Sequence, residues 1–230
     1  MKYTFALSAL AALASAGPIL GETAAPIEDL ETRQLGSVGV TANEFSGLLG
    51  SVNCRDVIFF FARGSTEAGN LGTVIGPDVG NGLKRVFGST NVAVEGIDYP
   101  ALLSTNNLPG GADLGGIREM EDLLDSAASR CPNSKIVVGG YSQGAALVHR
   151  AVEDRSTAVK NKIVGAVTFG DTKNLQDGRQ IPNFPREKTR IFCAVGDLVC
   201  TGSLIITAAH LTYGANAAEA VAFLAARIRV

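Results

Sequence analysis

A chain of 230 residues, 46% of them hydrophobic and 18% charged, is long and apolar enough to bury a substantial core and fits a single domain. Twenty basic against 22 acidic residues give a formal net charge of -2. That balance argues against nucleic acid or an anionic membrane as a partner, because both are gripped by clustered positive charge.

Met1-Lys2, an apolar run from Phe5 to Ala14 and the small residues Ala14-Ser15-Ala16 read as a secretory signal peptide over residues 1–16. The run is too short to span a bilayer, and no later stretch is long and apolar enough, so a secreted, extracellular protein without integral membrane association is expected. Residues 17–33 carry two prolines, four acids and no apolar period, and read as a pro-segment or flexible leader. Removing both segments takes away Lys2, Arg33, Glu22, Glu28, Asp29 and Glu31 and leaves 18 basic against 18 acidic residues. The remainder, 34–230, has no repeat or linker and is expected to be one domain and, by default for so small a domain, a monomer.

Residues 41–49, with Phe45, Leu48 and Leu49 on one side, predict a short capped helix. The unbroken apolar run 56–62 predicts a strand buried on both faces of a parallel sheet, and it ends in the polar turn Arg63-Gly64-Ser65-Thr66-Glu67. A helix is predicted over 72–87, a strand over 91–97 and a loop over 98–111. The stripe Ile117, Met120, Leu123, Leu124 and Ala127 predicts a helix over 117–129. A strand from Lys135 then meets Gly140-Tyr141-Ser142-Gln143-Gly144 and a helix over 143–152. Strands over 163–169 and 189–195, a mixed loop and helical turn over 203–212 and a closing helix over 215–228 complete the chain. This alternation predicts a three-layer α/β/α sandwich around a central, mostly parallel five-stranded sheet.

The G-x-S-x-G turn between a strand and a helix has the form of a nucleophile elbow: small residues let the chain reverse closely and lift the Ser142 hydroxyl above the sheet. A serine nucleophile needs a neutral imidazole in reach, and the imidazole needs a carboxylate to fix its tautomer. Of the two histidines, His149 lies seven positions along the elbow helix, roughly 10 Å up the axis at 1.5 Å per residue, and reads as a partly exposed surface residue. His210 is therefore the base by elimination. Among the acids between the serine and the histidine, Asp197 is favoured by its place after a strand, between Cys193 and Cys200. Asp171 reads better as the cap of the turn after Gly170, with Asp177 and Asp154 behind both. The backbone N–H of Gln143 and the residue Ser65 are the candidate oxyanion donors.

Four cysteines in an exported chain imply disulfides, with three pairings possible. Cys193 and Cys200 are near enough to close a short loop, and Cys54 and Cys131 would then tie the first strand to the helix before the elbow. With no C-x-x-C and only two histidines, neither zinc nor any cofactor is expected.

Arg63-Gly64-Ser65-Thr66-Glu67 with Gly69-Asn70-Leu71-Gly72, the elbow with Ala145-Ala146, Lys173-Asn174-Leu175-Gln176, and the run from Gly196 to Ile205 together resemble a fungal cutinase over residues 54 to 214. The resemblance implies a small α/β-hydrolase without a full lid that acts on the ester bonds of cutin, a plant polyester, and on related fatty-acid esters. Residue by residue it implies Ser142 as nucleophile, Asp197 as acid, His210 as base, and Ser65 and Gln143 as oxyanion donors supported by Asn106. It also implies the pairings Cys54 with Cys131 and Cys193 with Cys200. The loop Tyr99-Pro100-Ala101-Leu102-Leu103 departs from the more glycine-rich form the family would show.

Leu204, Ile205 and Ile206 are consecutive and apolar, so they cannot all face one core. With Leu102, Leu103 and Leu108 they are candidates for an apolar rim that receives an acyl chain or an insoluble polyester surface. A lipase or polysaccharide acetyl esterase of the same fold is the nearest alternative, and a catalytically silent secreted binding or elicitor protein a more distant one.

Overall fold

The computed structural model describes residues 36–229; the expected signal peptide and leader lie outside the described residues. Five strands, β1 (Val57–Ala62), β2 (Val92–Gly96), β3 (Lys135–Tyr141), β4 (Ile163–Phe169) and β5 (Thr189–Phe192), form one sheet in the order β2-β1-β3-β4-β5. Every neighbouring pair is parallel, so the sheet is wholly rather than mostly parallel. Parallel strands need crossovers; those leading to β2, β3 and β4 run through α1 (Gly76–Phe87), α2 (Leu114–Arg130) and α3 (Gln143–Glu153), and the one from β4 to β5 is a long loop without an α-helix. The short α4 (Thr157–Lys162), absent from the sequence reading, precedes β4, and α5 (Ala217–Ile228) closes the chain.

Alternation along β1 separates two cores. Ile58 and Phe60 pack with Met120, Leu124, Leu147 and Val159 from α2, α3 and α4. Val57, Phe59 and Phe61 pack with Val79, Leu83, Val221 and Leu224 from α1 and α5. Helices therefore cover both faces, which explains why β1 is apolar at every position.

Three boundaries differ from expectation by three residues or more: β5 ends at Phe192 rather than at residue 195, where the chain turns into the loop closed by Cys193 and Cys200, and two helices start elsewhere. Asp113 caps α2 by accepting from the Gly116 N–H at 2.9 Å, so that helix starts three residues before the first apolar position used to find it. Pro77 sits at the start of α1, where its missing N–H costs nothing, leaving 72–75 as a turn. The helix expected over 41–49 does not form. Asn43 and Ser46 make antiparallel bridges to Glu95 and Val52, and the Glu95 carboxylate accepts from the Phe45 and Ser46 N–H groups. Phe45 is buried edge-on against Phe60, while Leu49 is fully exposed, so the two do not share a face.

The disulfides are Cys54–Cys131 and Cys193–Cys200, and among the described residues no cysteine is free. The first spans 77 residues, and in the chain-entropy picture closing such a loop stabilises the fold by on the order of 4 kcal/mol. No helix among the described residues is long and apolar enough to cross a membrane.

Candidate active site

Ser142 stands between β3 and α3 with φ 56 and ψ -118, a left-handed backbone that a non-glycine residue avoids unless its surroundings impose it. Here the surroundings do. Its N–H is held by the Phe169 carbonyl of β4 at 2.9 Å, and its own carbonyl accepts from Ala145 N at 3.0 Å as α3 begins. The crossing is close: a Cβ on Gly144 would stand 2.0 Å from the Ala62 carbonyl oxygen, and one on Gly140 2.2 Å from that of Gly144. Gly144→Ala is expected to cost about 3 kcal/mol through this backbone clash, read as a lower urea midpoint at unchanged m-value.

At the C-terminal end of β5, the Asp197 carboxylate is buried and meets three donors. Oδ1 accepts from Val199 N at 3.0 Å; Oδ2 lies 2.9 Å from His210 Nδ1 and accepts from the Tyr213 hydroxyl at 2.6 Å. Burial and the hydrogen bond to Asp197 push the Tyr213 hydroxyl well above its ordinary titration range, so it stays a donor. The His210 ring stacks on Tyr141, with centroids 5.0 Å apart, and the Tyr141 hydroxyl donates to the His210 carbonyl at 2.8 Å. Behind the ring is Gly170, at φ 52, where a Cβ would stand 2.6 Å from His210 Cε1. His210 Nε2 is buried without a hydrogen-bond partner among the described residues. An unpartnered buried nitrogen is costly unless it serves a purpose, and this one belongs to a ring that lines the same cavity as Ser142.

The turn after β1 forms the facing wall. Glu67 folds it back on itself, accepting from the N–H groups of Gly64, Thr73 and Val74 at 2.7, 2.8 and 2.9 Å. The Ser65 hydroxyl oxygen accepts from Asn106 Nδ2 at 2.9 Å and from Gln143 Nε2 at 3.0 Å. With both lone pairs engaged, its proton is the one remaining bonding capacity. The departing loop at 99–103 also finds its explanation. Arg63 lies under Tyr99, donates to the Tyr99 carbonyl at 2.5 Å, and its own carbonyl accepts from the Tyr99 hydroxyl. Ala101 takes φ 48, a left-handed conformation that would suit glycine.

Ser65, Asn106, Ser142 and His210 line one open cavity of about 750 Å³. Of the six candidate rim residues, Leu103, Leu204 and Ile206 line it; Leu102 and Ile205 are exposed outside the lining, and Leu108 is half-buried away from it. Leu211 and Val199 line it too and were missed. Tyr213 and Tyr141 were also missed, because their bonds to Asp197 and to the His210 carbonyl join segments that no local sequence pattern brings together.

The reading of His149 as partly exposed is wrong: it is completely buried. Asp171 does cap its turn, accepting from Lys173 N at 2.8 Å, but its other oxygen lies 2.9 Å from His149 Nε2, and Asp177 lies 2.7 Å from His149 Nδ1. Two of the three rival acids, Asp171 and Asp177, are thus committed to the other histidine, and Asp154 stands at the far end of α3 from Ser142.

A strained serine between strand and helix, a buried acid–imidazole pair and a parallel sheet covered on both faces define an α/β-hydrolase type of serine esterase. The family model described as Cutinase matches residues 53–228. The chain is 52% identical to the cutinase CUT2 of Pyricularia oryzae over 94% of its length and 98% of that protein's. It is 49% identical to cutinase 2 of Fusarium vanettenii over 100% and 97% of the two chains. Among solved structures, Trichoderma reesei cutinase in complex with a phosphonate inhibitor superposes with a TM-score of 0.72 at 35% identity, covering 87% of this chain and 85% of the other. An acetyl xylan esterase shares the fold, with a TM-score of 0.62 at 24% identity over 76% of this chain and all of that one. The chain belongs to the cutinase family and is a carboxylic ester hydrolase, a serine esterase acting on cutin.

Proposed function

We propose that Ser142 attacks the ester carbonyl, that His210 Nε2 takes the serine proton, and that Asp197 fixes the tautomer that leaves Nε2 free to do so. The proton passes to the leaving alkoxide as the alcohol departs, leaving an acyl group on Ser142. Water, deprotonated by the same nitrogen, then releases the acid and restores the serine. The Gln143 N–H at the start of α3 and the Ser65 hydroxyl, supported by Asn106, face the oxyanion. The observation that carries this reading is the 2.9 Å bond from Asp197 to His210 Nδ1, with Nε2 left unpartnered beside the cavity that Ser142 shares. Because His210 must be neutral to accept a proton, activity falls on acidification.

Leu103, Leu204 and Ile206 form the apolar entrance that lies against an acyl chain or an insoluble polyester surface, together with related fatty-acid esters. Residues 1–16 and 17–33 serve as signal peptide and leader, the catalytic domain begins at about residue 34, and the exported enzyme works as a monomer. Ile206→Asp tests the entrance. Its kcat/KM on long-chain esters is expected to fall about 10-fold, with short esters changed less than about 2-fold; an equal loss on both dismisses the rim. Release of monomers from cutin, set against a triglyceride emulsion and acetylated xylan, tests the substrate class: preference for either of the latter two would make the enzyme a lipase or an acetyl esterase.

A further inference from the structure

His149 takes no part in the proposed chemistry, yet it sits at a junction. Both ring nitrogens face carboxylate oxygens, Nε2 at 2.9 Å from Asp171 and Nδ1 at 2.7 Å from Asp177. Ionised carboxylates only accept hydrogen bonds, so satisfying both contacts needs a proton on each nitrogen, which is the imidazolium. The other partners of these acids are donors as well: Thr168 Oγ1 at 2.7 Å and Lys173 N at 2.8 Å on Asp171, and the Arg150 guanidinium on Asp177. Arg150 is in turn paired with Glu153 at 3.0 Å, and Lys173 follows on the same segment as Asp171. From α2, packed along α3, Glu121 and Asp125 are taken up by Arg155.

The segment carrying the two acids reaches both halves of the active site. Thr172 Oγ1 donates to the Ser142 carbonyl at 3.4 Å, and Asn174 Nδ2 donates to the Cys200 carbonyl, in the turn that follows Asp197, at 3.1 Å. His149 is on the helix that Ser142 begins.

We propose that His149 is a positioning residue: as an imidazolium clamped between Asp171 and Asp177, it fastens the nucleophile helix to the segment that steadies Ser142 and the acid turn, and losing its proton sets the alkaline limit of activity. Burial works against the charge, but the charge and hydrogen bonds of Asp171 and then Asp177 outweigh it and raise the ring to about 9. For a group raised on folding, the stabilisation is complete below the ordinary histidine range and is lost as pH climbs through about 9. Both acids are held below the usual carboxylate range, burial being outweighed by His149 with Thr168 or Arg150, so the clamp also opens in strong acid.

With only two histidines, nitrogen-15 NMR of the histidine-labelled full chain resolves the ring directly, and His149→Gln assigns the signals. Expected are two protonated ring nitrogens on His149 at pH 7 and a titration near 9. In turnover of a short soluble ester from pH 7 to 11, wild type should show a fall near 9. His149→Gln should lose about 5-fold in kcat at pH 7.5 together with that fall, and Asp177→Asn should move the fall to lower pH. A neutral His149 at pH 7, or an alkaline limb the same in wild type and both variants, overturns the proposal. If His149→Gln does not fold, the wild-type titration and Asp177→Asn still decide it. The proposal rests on the reading of Ser142 and His210 as reacting groups oriented by Asp197, but the NMR result does not depend on activity, so its failure is distinguishable from theirs.

Discussion

Ser142→Ala is expected to lower ester hydrolysis by on the order of 10⁴- to 10⁶-fold, because the attacking oxygen is removed while the remaining site is left to bind substrate. The physical basis is local. The strained φ of 56 is imposed by the Phe169 carbonyl and the start of α3, contacts of the backbone that alanine retains. The variant should therefore fold, with its thermal midpoint close to wild type, and bind ester with little change in apparent affinity. A serine-directed phosphonate should add its mass to the wild-type chain and leave the variant unlabelled. Labelling that persists in Ser142→Ala would place the nucleophile elsewhere and remove the acyl-enzyme assignment.

Asp197→Asn is expected to cost about 10⁴-fold in kcat at neutral pH with a much smaller change in KM, the pattern of a lost tautomer rather than a lost binding group. Three donors converge on this carboxylate, from Val199, His210 and Tyr213. A carboxamide has one oxygen to offer them and one amino group that opposes them. If the amino group faces Nδ1, the ring must carry its proton on Nε2 and can no longer accept from serine. A loss under 10-fold would mean that another acid orients His210. Asp171 and Asp177 are not available for that role, since both are bound to His149.

The contrast between these acids shows how far the sequence could be read. The central strands were legible because a strand buried on both faces must be apolar throughout, as in Val57 to Ala62, whereas the edge strand β5, only partly buried, is shorter than its sequence suggested. The elbow was legible because only small residues can pass so close to the Ala62 carbonyl. The segment 41–49 was misread because its helix-like spacing competes with pairing across 50 residues to Glu95, a partner that local periodicity does not register. His149 was misread for a related reason: a charged ring on a helix belongs at the surface unless partners arrive from elsewhere, and Asp171 and Asp177 arrive from beyond β4.

Order along the chain and residue chemistry by themselves determined the parallel sandwich and pointed to Ser142 and His210 as the candidate nucleophile and base, because a single G-x-S-x-G and two histidines leave few arrangements open. They narrowed the candidate acid to a preference and the proposed acyl entrance to six residues. The tertiary structure alone decided that Asp197 faces His210 while Asp171 and Asp177 face His149, that Tyr213 completes the acid's bonding, and that Leu103, Leu204 and Ile206 share one cavity. These are contacts between segments far apart in sequence, and which carboxylate meets which imidazole depends on where β4 and β5 deliver their loops, a distance no local pattern encodes.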